Sequence, residues 1–393
     1  MKPIRYGQHN ITDEDIQSVI EVLKSTNLTQ GPKIAEFEAA FADYIGCKYA
    51  ITVSNGTAAL HLCAMAMNVK PGQKVITTPI TFAASANCVR YCGGEVVFSD
   101  IDPNTYLLDI DKVRSLLINA PIGTYAGIIP VDFAGYPVNL EVFRELADEY
   151  GMWIIEDACH APGGYFIDSK GIQQNCGNGI YADLAIFSFH PVKHIATGEG
   201  GMITTNNREL YDRIKNLRTH GIQTNPERNQ FNHGKWYYEM QELGFNYRLT
   251  DIASALGISQ LKRAAKGLIN RKVIAERYDK VFKNTAIELP SINTNSSHAY
   301  HLYVIQHPGR NDLIKQLIEK KIIAQVHYIP VHLMPYYRQF GWKEGDMPIA
   351  ENYYKKCLSI PIFPTLDEED QSFVIEEILS FLSNYNTTRL SKG

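Results

Sequence analysis

The residue that points most directly to chemistry is Lys193, which follows the apolar segment 184–188 and precedes a glycine-rich stretch at 198–201. A lysine amine in a confined site can lose its proton more readily and form a Schiff base with a carbonyl compound. Taken alone, however, a lysine in such a position is more often an ordinary surface residue of a loop. The Lys193 hypothesis therefore needs partners elsewhere in the sequence.

A carboxylate and an imidazole follow a second apolar segment, at 152–155, in the form of Asp157 and His160. In an open α/β sheet, ligands bind beyond the carboxyl ends of the strands, where Asp157 would lie. Its carboxylate could face a ring nitrogen, and His160 could support it. The alternative, in which Asp157 caps the next segment and His160 is structural, fits these residues equally well.

The third element is the Gly56-Thr57 turn, which joins the apolar segment 49–54 to an alanine-rich helix. Backbone N–H groups and the positive end of the helix dipole converge at such a turn and suit a phosphate group. Many α/β crossovers carry a glycine there without any ligand. Together, however, a phosphate cradle, a carboxylate for a pyridine nitrogen and an imine-forming lysine are the parts that pyridoxal phosphate (PLP) requires.

A metal site is the competing reading of two histidines, His190 and His194, which stand four residues apart. Pro191 lies between them and disfavours a regular helix. No third ligand stands out in the sequence. The pattern therefore favours a site without a metal ion.

Short apolar segments alternate with helical patterns, which predicts a mostly parallel sheet covered by helices on both faces. The periodicity leaves open whether the last two strands run antiparallel to the others. A long helix is predicted from Thr250 to Phe282. Seven strands are predicted, at residues 49–54, 74–78, 95–99, 126–132, 152–157, 184–188 and 201–205.

This pattern predicts an α/β chain with two domains. A large domain covers residues 1–260 and carries the seven-stranded, mostly parallel sheet, and a smaller α+β domain covers residues 261–393. Within this division, the N-terminal segment could instead pack on the small domain.

The bulk composition argues against several classes of protein. A net charge of −4 without a basic run argues against a nucleic-acid partner. No apolar run approaches the roughly 18 residues that a membrane helix needs, and the N-terminus lacks the apolar core of a signal peptide. Seven cysteines without a Cys-x-x-Cys pair favour reduced thiols. We therefore expect a cytoplasmic protein.

The motifs SNGTAAL, ITFAASAN, EDACHAPG, FSFHPVKHIATGEGG and GFNYRLTDIASALG carry a family resemblance over nearly the whole chain. In their order and spacing the chain resembles the sugar aminotransferases of the DegT/DnrJ/EryC1/StrS family. The resemblance implies the fold-type I, aspartate-aminotransferase-like architecture, with PLP as cofactor and pyridoxamine phosphate as its intermediate form. Some members carry histidine in place of the lysine and act as dehydratases, so Lys193 favours transamination here.

The resemblance also implies catalytic roles for three residues. Lys193 would hold PLP covalently and later move a proton between the donor carbon and the cofactor. Asp157 would pair with the pyridine nitrogen and keep it protonated. His160 would support the cofactor ring and its hydroxyl group.

Further cofactor contacts follow from the same resemblance. Phe82 would stack on the ring, while the backbone of Gly56 and Thr57 and the hydroxyl of Ser188 would bind the phosphate. Asn246 matches a residue that reaches the phosphate from the neighbouring subunit. The resemblance therefore implies a homodimer with shared active sites.

The segments KPIRYGQHNI, HPVKHI and VHYIPVHLMPYY look most like family members that serve pseudaminic acid synthesis. They imply transfer of an amino group from L-glutamate to C4 of a UDP-linked 2-acetamido-2,6-dideoxy-4-keto hexose. Tyr6, His327 and Tyr328 are candidates for nucleotide-sugar contacts, although ordinary aromatic packing explains them nearly as well. No single arginine stands out as the clamp for the donor's carboxylate.

Three other functions stay open at this point. The substrate could be another nucleotide keto sugar, dTDP-linked or aminated at C3. The same fold also supports PLP lyases, desulfurases and amino-acid aminotransferases. A regulator that senses PLP would need a DNA-binding appendage or a basic face, and the sequence contains neither.

Overall fold

The computed structural model describes residues 2–223, 226–231 and 233–390. Its strands are β1 Ile4–Arg5, β2 Tyr49–Val53, β3 Lys74–Thr77, β4 Glu95–Phe98, β5 Tyr125–Ile129, β6 Trp153–Asp157, β7 Tyr165–Ile167, β8 Gln173–Asn175, β9 Leu184–Ser188, β10 Gly201–Thr205, β11 Ile222–Gln223, β12 Glu239–Met240, β13 Ser296–Ser297, β14 Tyr303–Gln306, β15 Ile322–Ile323 and β16 Cys357–Ile360.

The helices account for most of the remaining described chain. They are α1 Asp13–Leu23, α2 Pro32–Ile45, α3 Gly56–Ala66, α4 Ala84–Tyr91, α5 Ile110–Ile118, α6 Leu140–Tyr150, α7 Arg208–Leu217, α8 Asp251–Leu261, α9 Ala264–Phe282, α10 Arg310–Glu319, α11 Pro335–Arg338, α12 Pro348–Lys356 and α13 Glu368–Leu390. Within the described residues, no helix combines the length and the apolar character that crossing a membrane requires.

The central sheet contains the seven predicted strands, in the order β2-β10-β9-β6-β5-β3-β4. All neighbouring pairs are parallel except those of β10, which runs antiparallel to β9 and β2. Of the last two strands, therefore, only β10 is reversed. Since β6 and β9 are parallel neighbours, with Asp157 opposite Ile186, their carboxyl ends meet at one edge.

Burial explains why these segments form strands and covering helices. The strands of the sheet are almost entirely buried, as near-continuous apolar runs predict for a parallel sheet covered on both faces. Helix α3 is also buried along most of its length, because its alanines and leucines face the sheet on one side and other helices on the other. The N-terminus of α3 therefore begins inside the protein.

The predicted single helix from Thr250 to Phe282 is wrong in one respect, since α8 ends at Leu261 and α9 begins at Ala264. Arg263, with φ −107° and ψ 0°, stands at the break and precedes the first residue of α9. Its guanidinium group donates hydrogen bonds to the Asp15 carboxylate and to the Asn10 carbonyl oxygen. The break coincides with a contact to a residue 248 positions away, which helical periodicity does not contain.

A second hydrophobic core lies apart from the sheet. It combines α9, α10 and α13 with β14 and β16, and Ile4 of β1 also belongs to it. Strand β1 pairs in parallel with β15, with Ile4 opposite Ile322, so the N-terminal segment packs on this core. The division at residue 260 stays a prediction.

The two cores are joined through the backbone on either side of Gly135. The Ala299 N–H donates to the Gly135 carbonyl oxygen at 2.7 Å, and the Leu302 N–H donates to the Ala134 oxygen at 3.1 Å. From the other side, the buried Arg271 side chain donates to the Tyr300 carbonyl oxygen at 3.0 Å. The segment 299–302 is therefore held between the sheet and α9.

We predict that Gly135→Ala destabilises this junction. Gly135 has φ +100°, and a β-carbon there would lie 2.8 Å from the His160 oxygen and from the Tyr300 nitrogen. The positive φ and the overpacking together should lower the free energy of unfolding by about 2–4 kcal/mol, measured by urea denaturation.

Gly72→Ala is the matched control, because Gly72 also has a positive φ, +86°, with nothing within 4 Å of an added β-carbon. It should cost only about 1 kcal/mol. Equal effects of the two substitutions would contradict the role of close packing at Gly135.

Candidate active site

The phosphate cradle predicted at Gly56 lies against Ser188 at the carboxyl edge of the sheet. A β-carbon at Gly56 would lie 3.0 Å from Ser188 Cβ and 3.5 Å from Cys159 Sγ. The Asn55 side chain caps α3 by accepting from the Ala58 N–H at 2.8 Å. In the described hydrogen bonds, the N–H groups of Gly56 and Thr57 have no acceptor. They are free to bind an anion at the start of a buried helix.

Asp157 is buried at the end of β6 and is held by two donors. The Ser85 hydroxyl donates to Asp157 Oδ2 at 2.7 Å, and the Cys159 N–H donates to Oδ1 at 3.2 Å. Ser85 is in turn hydrogen-bonded to the Thr81 hydroxyl at 2.7 Å. These bonds orient the carboxylate and leave it further acceptor capacity for a ring N–H.

The Lys193 amine lies 3.3 Å from His301 Nε2. Burial of the amine lowers the pKa of Lys193 to about 8, while the nearby Cys159 and Asp157 oppose this shift. Its side chain is half-buried, so the amine is confined but can be reached. A lysine with such a pKa is partly neutral near pH 8 and can attack an aldehyde.

His160 is a neutral imidazole whose tautomer follows from its backbone partner. The Ala134 N–H donates to His160 Nδ1 at 3.2 Å, so Nδ1 is the acceptor and Nε2 carries the proton. Nε2 lies 3.3 Å from the Tyr328 hydroxyl oxygen. Burial, with a contribution from the Lys193 charge, holds the pKa of His160 well below its usual range.

His194, one of the two histidines considered for a metal site, is a neutral imidazole held by a backbone carbonyl group. His194 Nε2 lies 2.8 Å from the Ala299 carbonyl oxygen, which can only accept, so Nε2 must be the protonated nitrogen. Burial lowers the pKa of His194 well below its usual range and keeps the ring neutral. His190 is exposed. The His190 and His194 side chains therefore lie in different surroundings.

A pair of buried carboxyl groups, Asp132 and Glu156, lies behind Asp157, with the Cys176 thiol within 4.8 Å of them. Burial raises the pKa of Asp132 to about 7, and burial and the neighbouring Asp132 raise the pKa of Glu156. Glu156 accepts from the Gly177 N–H at 2.9 Å. We interpret the two carboxyl groups as sharing a proton, since two adjacent buried carboxylates repel each other.

The aromatic candidates lie beside His160. The Tyr6 and His327 rings are 5.0 Å apart, and the Tyr328 ring is stacked at 6.3 Å from His160. Phe82 lies 6.5 Å from Tyr328 and is 62% exposed, although it precedes a buried helix. An exposed aromatic ring over a polar site can cover a bound planar group.

Asn246 is a predicted cofactor residue whose described contacts are to other parts of the chain. Its backbone pairs with Thr219 in an isolated β-bridge. Among the described residues, no hydrogen bond joins its side chain to Gly56, Thr57 or Ser188. Its predicted role in a neighbouring subunit stays a prediction.

Two residues of the site were not predicted from the sequence. Ser85 lies within one of the motifs that carry the family resemblance. Because it is far from Asp157 along the chain, the contact between these two residues could not be predicted. His301 precedes an ordinary apolar strand, and nothing in its neighbourhood distinguishes it from a structural histidine. Only the fold places it beside Lys193.

These groups fit PLP. The space beside Gly56, which a β-carbon would fill, faces Ser188 and two free N–H groups that suit a phosphate. Asp157 is oriented to accept from a pyridinium, and Lys193 is confined close by. The set offers an anion cradle, a carboxylate and an amine within one site.

The comparison with known families agrees with this geometry. The DegT/DnrJ/EryC1/StrS aminotransferase family matches residues 9–379 of this chain. The spore coat polysaccharide biosynthesis protein SpsC of Bacillus subtilis is 38% identical over 382 residues, which cover 95% of each chain.

Two further similarities concern named sugar aminotransferases. The UDP-4-amino-4,6-dideoxy-N-acetyl-beta-L-altrosamine transaminase of Campylobacter jejuni is 37% identical over 385 residues, which cover 96% of this chain and 97% of that protein. The structure of Helicobacter pylori PseC, an aminotransferase involved in the biosynthesis of pseudoaminic acid, superposes with a TM-score of 0.86. It is 29% identical, and the match covers 98% of this chain and all of that one.

We predict that the cofactor-free protein captures PLP with a rate that rises through a midpoint near pH 8. The pKa of Lys193 is lowered to about 8 because burial disfavours the charged amine, and only the neutral amine adds to an aldehyde. The rate is followed by the visible absorbance of the product.

Asp157→Asn should move this midpoint to lower pH, because the Asp157 charge raises the pKa of Lys193. A midpoint near pH 10, typical of an exposed lysine, would contradict the confinement of the amine.

Proposed function

This chain belongs to the DegT/DnrJ/EryC1/StrS aminotransferase family, and from that premise we propose that it transfers the amino group of L-glutamate to C4 of a UDP-linked 2-acetamido-2,6-dideoxy-4-keto hexose. It is a sugar aminotransferase that uses PLP. One observation carries the proposal. The convergence of Gly56, Ser188, Asp157 and Lys193 at one sheet edge occurs in a chain 37% identical to the Campylobacter transaminase.

Lys193 has two tasks in this proposal. Its Nζ would hold the cofactor covalently, and when the amine is free it would act as the base and then the acid for the proton at the donor's α-carbon. With a pKa of about 8, the Lys193 amine can both accept and release a proton near neutral pH. The bound cofactor supplies the electron sink that makes the α-proton acidic.

Asp157 and His160 orient and tune the site. The Asp157 carboxylate, held by Ser85, would accept a hydrogen bond from the protonated ring nitrogen of the cofactor and stabilise its positive charge. His160 presents Nε2–H to the Tyr328 hydroxyl, which can extend the network toward the cofactor or the sugar. Because His160 is neutral, it adds no positive charge beside Lys193.

The nucleotide sugar would approach from the aromatic side of the site. Tyr6, His327 and Tyr328 lie together there, and Tyr328 links them to His160. Phe82 would cover the cofactor ring from the same side. These residues offer ring faces and one hydroxyl to a sugar and a base.

We further propose that the protein is a homodimer with shared active sites. Exposed aromatic side chains cluster in the region between β11 and β12, where Phe231, Trp236 and Tyr238 are 61%, 73% and 58% exposed. Exposed apolar groups of this size commonly mark a protein interface. Asn246 follows this region in the chain and would reach the partner's phosphate cradle.

Lys193→Ala should abolish both the covalent attachment of PLP and turnover. Wild-type protein saturated with PLP should show a visible chromophore that borohydride reduces onto Lys193, which peptide mass spectrometry can locate. The variant should show no such adduct and at least a 1000-fold loss of activity, about 4 kcal/mol of transition-state stabilisation.

Lys170→Ala serves as the control, since Lys170 is exposed between β7 and β8. It should retain both the adduct and the activity. An active Lys193→Ala variant would overturn the proposed role of the amine.

The substrate is tested with glutamate and a panel of UDP- and dTDP-linked keto sugars, each carrying the keto group at C3 or C4. We expect amination only of the UDP-linked 4-keto sugar, with mass spectrometry locating the nitrogen at C4. Exclusive reaction of a dTDP-linked or 3-keto sugar would replace the proposed substrate and leave the aminotransferase activity intact.

A further inference from the structure

A cavity of about 260 Å³ lies between the two hydrophobic cores. Phe133 and Tyr136, which belong to the core around the sheet, and Tyr303, which belongs to the second core, all line it. Among the described residues, its lining includes none of the cofactor contacts predicted above. Because ligand pockets commonly form where two cores meet, this cavity is a candidate for a second binding site.

The cavity shares two stretches of backbone with the active site. Tyr300 lines the cavity, while the next residue, His301, lies 3.3 Å from the Lys193 amine. Ala134 also lines the cavity, and its N–H donates to His160 Nδ1. A ligand in the cavity would therefore contact the backbone that positions two histidines of the active site.

Asp279 is the one carboxylate among the described lining residues. It is half-buried, and the Tyr303 hydroxyl donates to its Oδ1 atom at 2.6 Å. Burial raises the pKa of Asp279, because a carboxylate that loses water is less stable in its charged form. None of the ion pairs in the described part of the chain includes it. The carboxylate therefore has acceptor capacity left and lacks a positive partner.

Aromatic rings line the cavity close to this carboxylate. Burial and, after it, the Asp279 charge raise the pKa of Tyr300, so these two side chains interact. The Tyr300 ring stacks on His298 at 4.2 Å, and the His298 ring lies 5.6 Å from that of Tyr136. The faces of aromatic rings attract organic cations, and groups of such residues recognise quaternary ammonium ions in this way.

His298 adds a polar group to the lining without adding a positive charge. The Tyr300 N–H donates to His298 Nδ1 at 2.8 Å, so Nε2 carries the proton. Burial lowers the pKa of His298 to about 3, which keeps the ring neutral near pH 7. A bound cation would therefore meet no charged imidazole.

Lys283 is the one ammonium group among the described lining residues. It is exposed and stands one turn after Asp279, at the end of α9. Its flexible side chain can keep the charge in water, whereas Asp279 is half-buried and held by Tyr303. The fixed charge of the cavity is therefore negative.

We propose that this cavity binds a small organic ammonium ion. The ammonium group lies beside the Asp279 carboxylate, and the apolar body of the ligand packs against Tyr300 and Tyr136. An apolar cavity of about 150 Å³ holds benzene, so about 260 Å³ accommodates one ring with a trimethylammonium group. None of these residues takes part in the proposed transfer reaction, so the cavity is a site of its own.

The test is calorimetric titration of the full-length, PLP-loaded protein with benzyltrimethylammonium, which cannot form an imine with the cofactor because its nitrogen carries no proton. Asp279→Asn removes the charge and keeps an oxygen that can accept from Tyr303. We expect it to weaken binding of the ammonium ion by about fivefold to thirtyfold.

Benzylsulfonate is the probe of opposite charge, because it carries the same ring with an anionic group. The wild-type protein should bind it about tenfold more weakly than benzyltrimethylammonium. Equal or tighter binding of benzylsulfonate would assign the cavity to anions and overturn the proposal.

Glu276→Gln is the matched control, because Glu276 is an exposed carboxylate one turn before Asp279 on α9 and does not line the cavity. It should change the affinity for benzyltrimethylammonium by less than about twofold. If Asp279→Asn and Glu276→Gln weakened binding equally, the effect would be one of general charge and the proposed site would be wrong.

Tyr300→Leu and Tyr300→Phe test the ring. The leucine variant should bind benzyltrimethylammonium about threefold or more weakly, and the phenylalanine variant, which keeps the ring, should bind it like the wild type. Thermal unfolding without ligand establishes that each variant is folded. Saturating UDP should leave the binding unchanged, whereas competition by UDP would place the ammonium ion in the active site and contradict the proposal.

Discussion

The site depends on keeping an amine out of water without surrounding it with other positive charges. Burial lowers the pKa of Lys193, and a protonated histidine nearby would add repulsion. Three histidines nevertheless lie close to it, and burial holds the pKa values of His160, His194 and His301 well below their usual range. The amine is therefore enclosed by rings that are polar but uncharged.

The backbone fixes how two of these rings present themselves. Ala134 donates to His160 and Ala299 accepts from His194, so each ring has one assigned proton position. The same two stretches of backbone are joined to each other at Gly135, where the two hydrophobic cores meet. The same backbone segments therefore fix the tautomers of the two histidines and join the two hydrophobic cores. A shift at this junction would change both.

Much of this could be predicted from the sequence, because the decisive signals are local. The seven strands follow from apolar runs, and the cradle at Gly56 follows from a strand that leads directly into a helix. Family resemblance supplied Ser188 and Phe82. The reversal of β10 alone could not be predicted, since strand direction depends on neighbours that periodicity does not encode.

The residues that could not be predicted share one physical property, because each makes its contact with a residue far away along the chain. His301 lies 108 residues from Lys193, and Arg263 pairs with Asp15 across 248 residues. Neither stands in a distinctive local pattern. Arg263 also stands at the break in the predicted helix, so this long-range contact accompanies the error in the helix prediction. Such residues acquire a role only when the fold brings the segments together.

The buried carboxyl pair shows how the negative charge at the site is limited to one place. Burial raises the pKa values of both Asp132 and Glu156, and the Asp157 charge adds to the shift, which favours a proton on that pair. Ser85 and the Cys159 N–H donate to Asp157 and stabilise a carboxylate there. If the pair lost its proton as well, adjacent buried carboxylates would repel one another. Sharing a proton at Asp132 and Glu156 therefore leaves Asp157 as the carboxylate whose charge acts on Lys193.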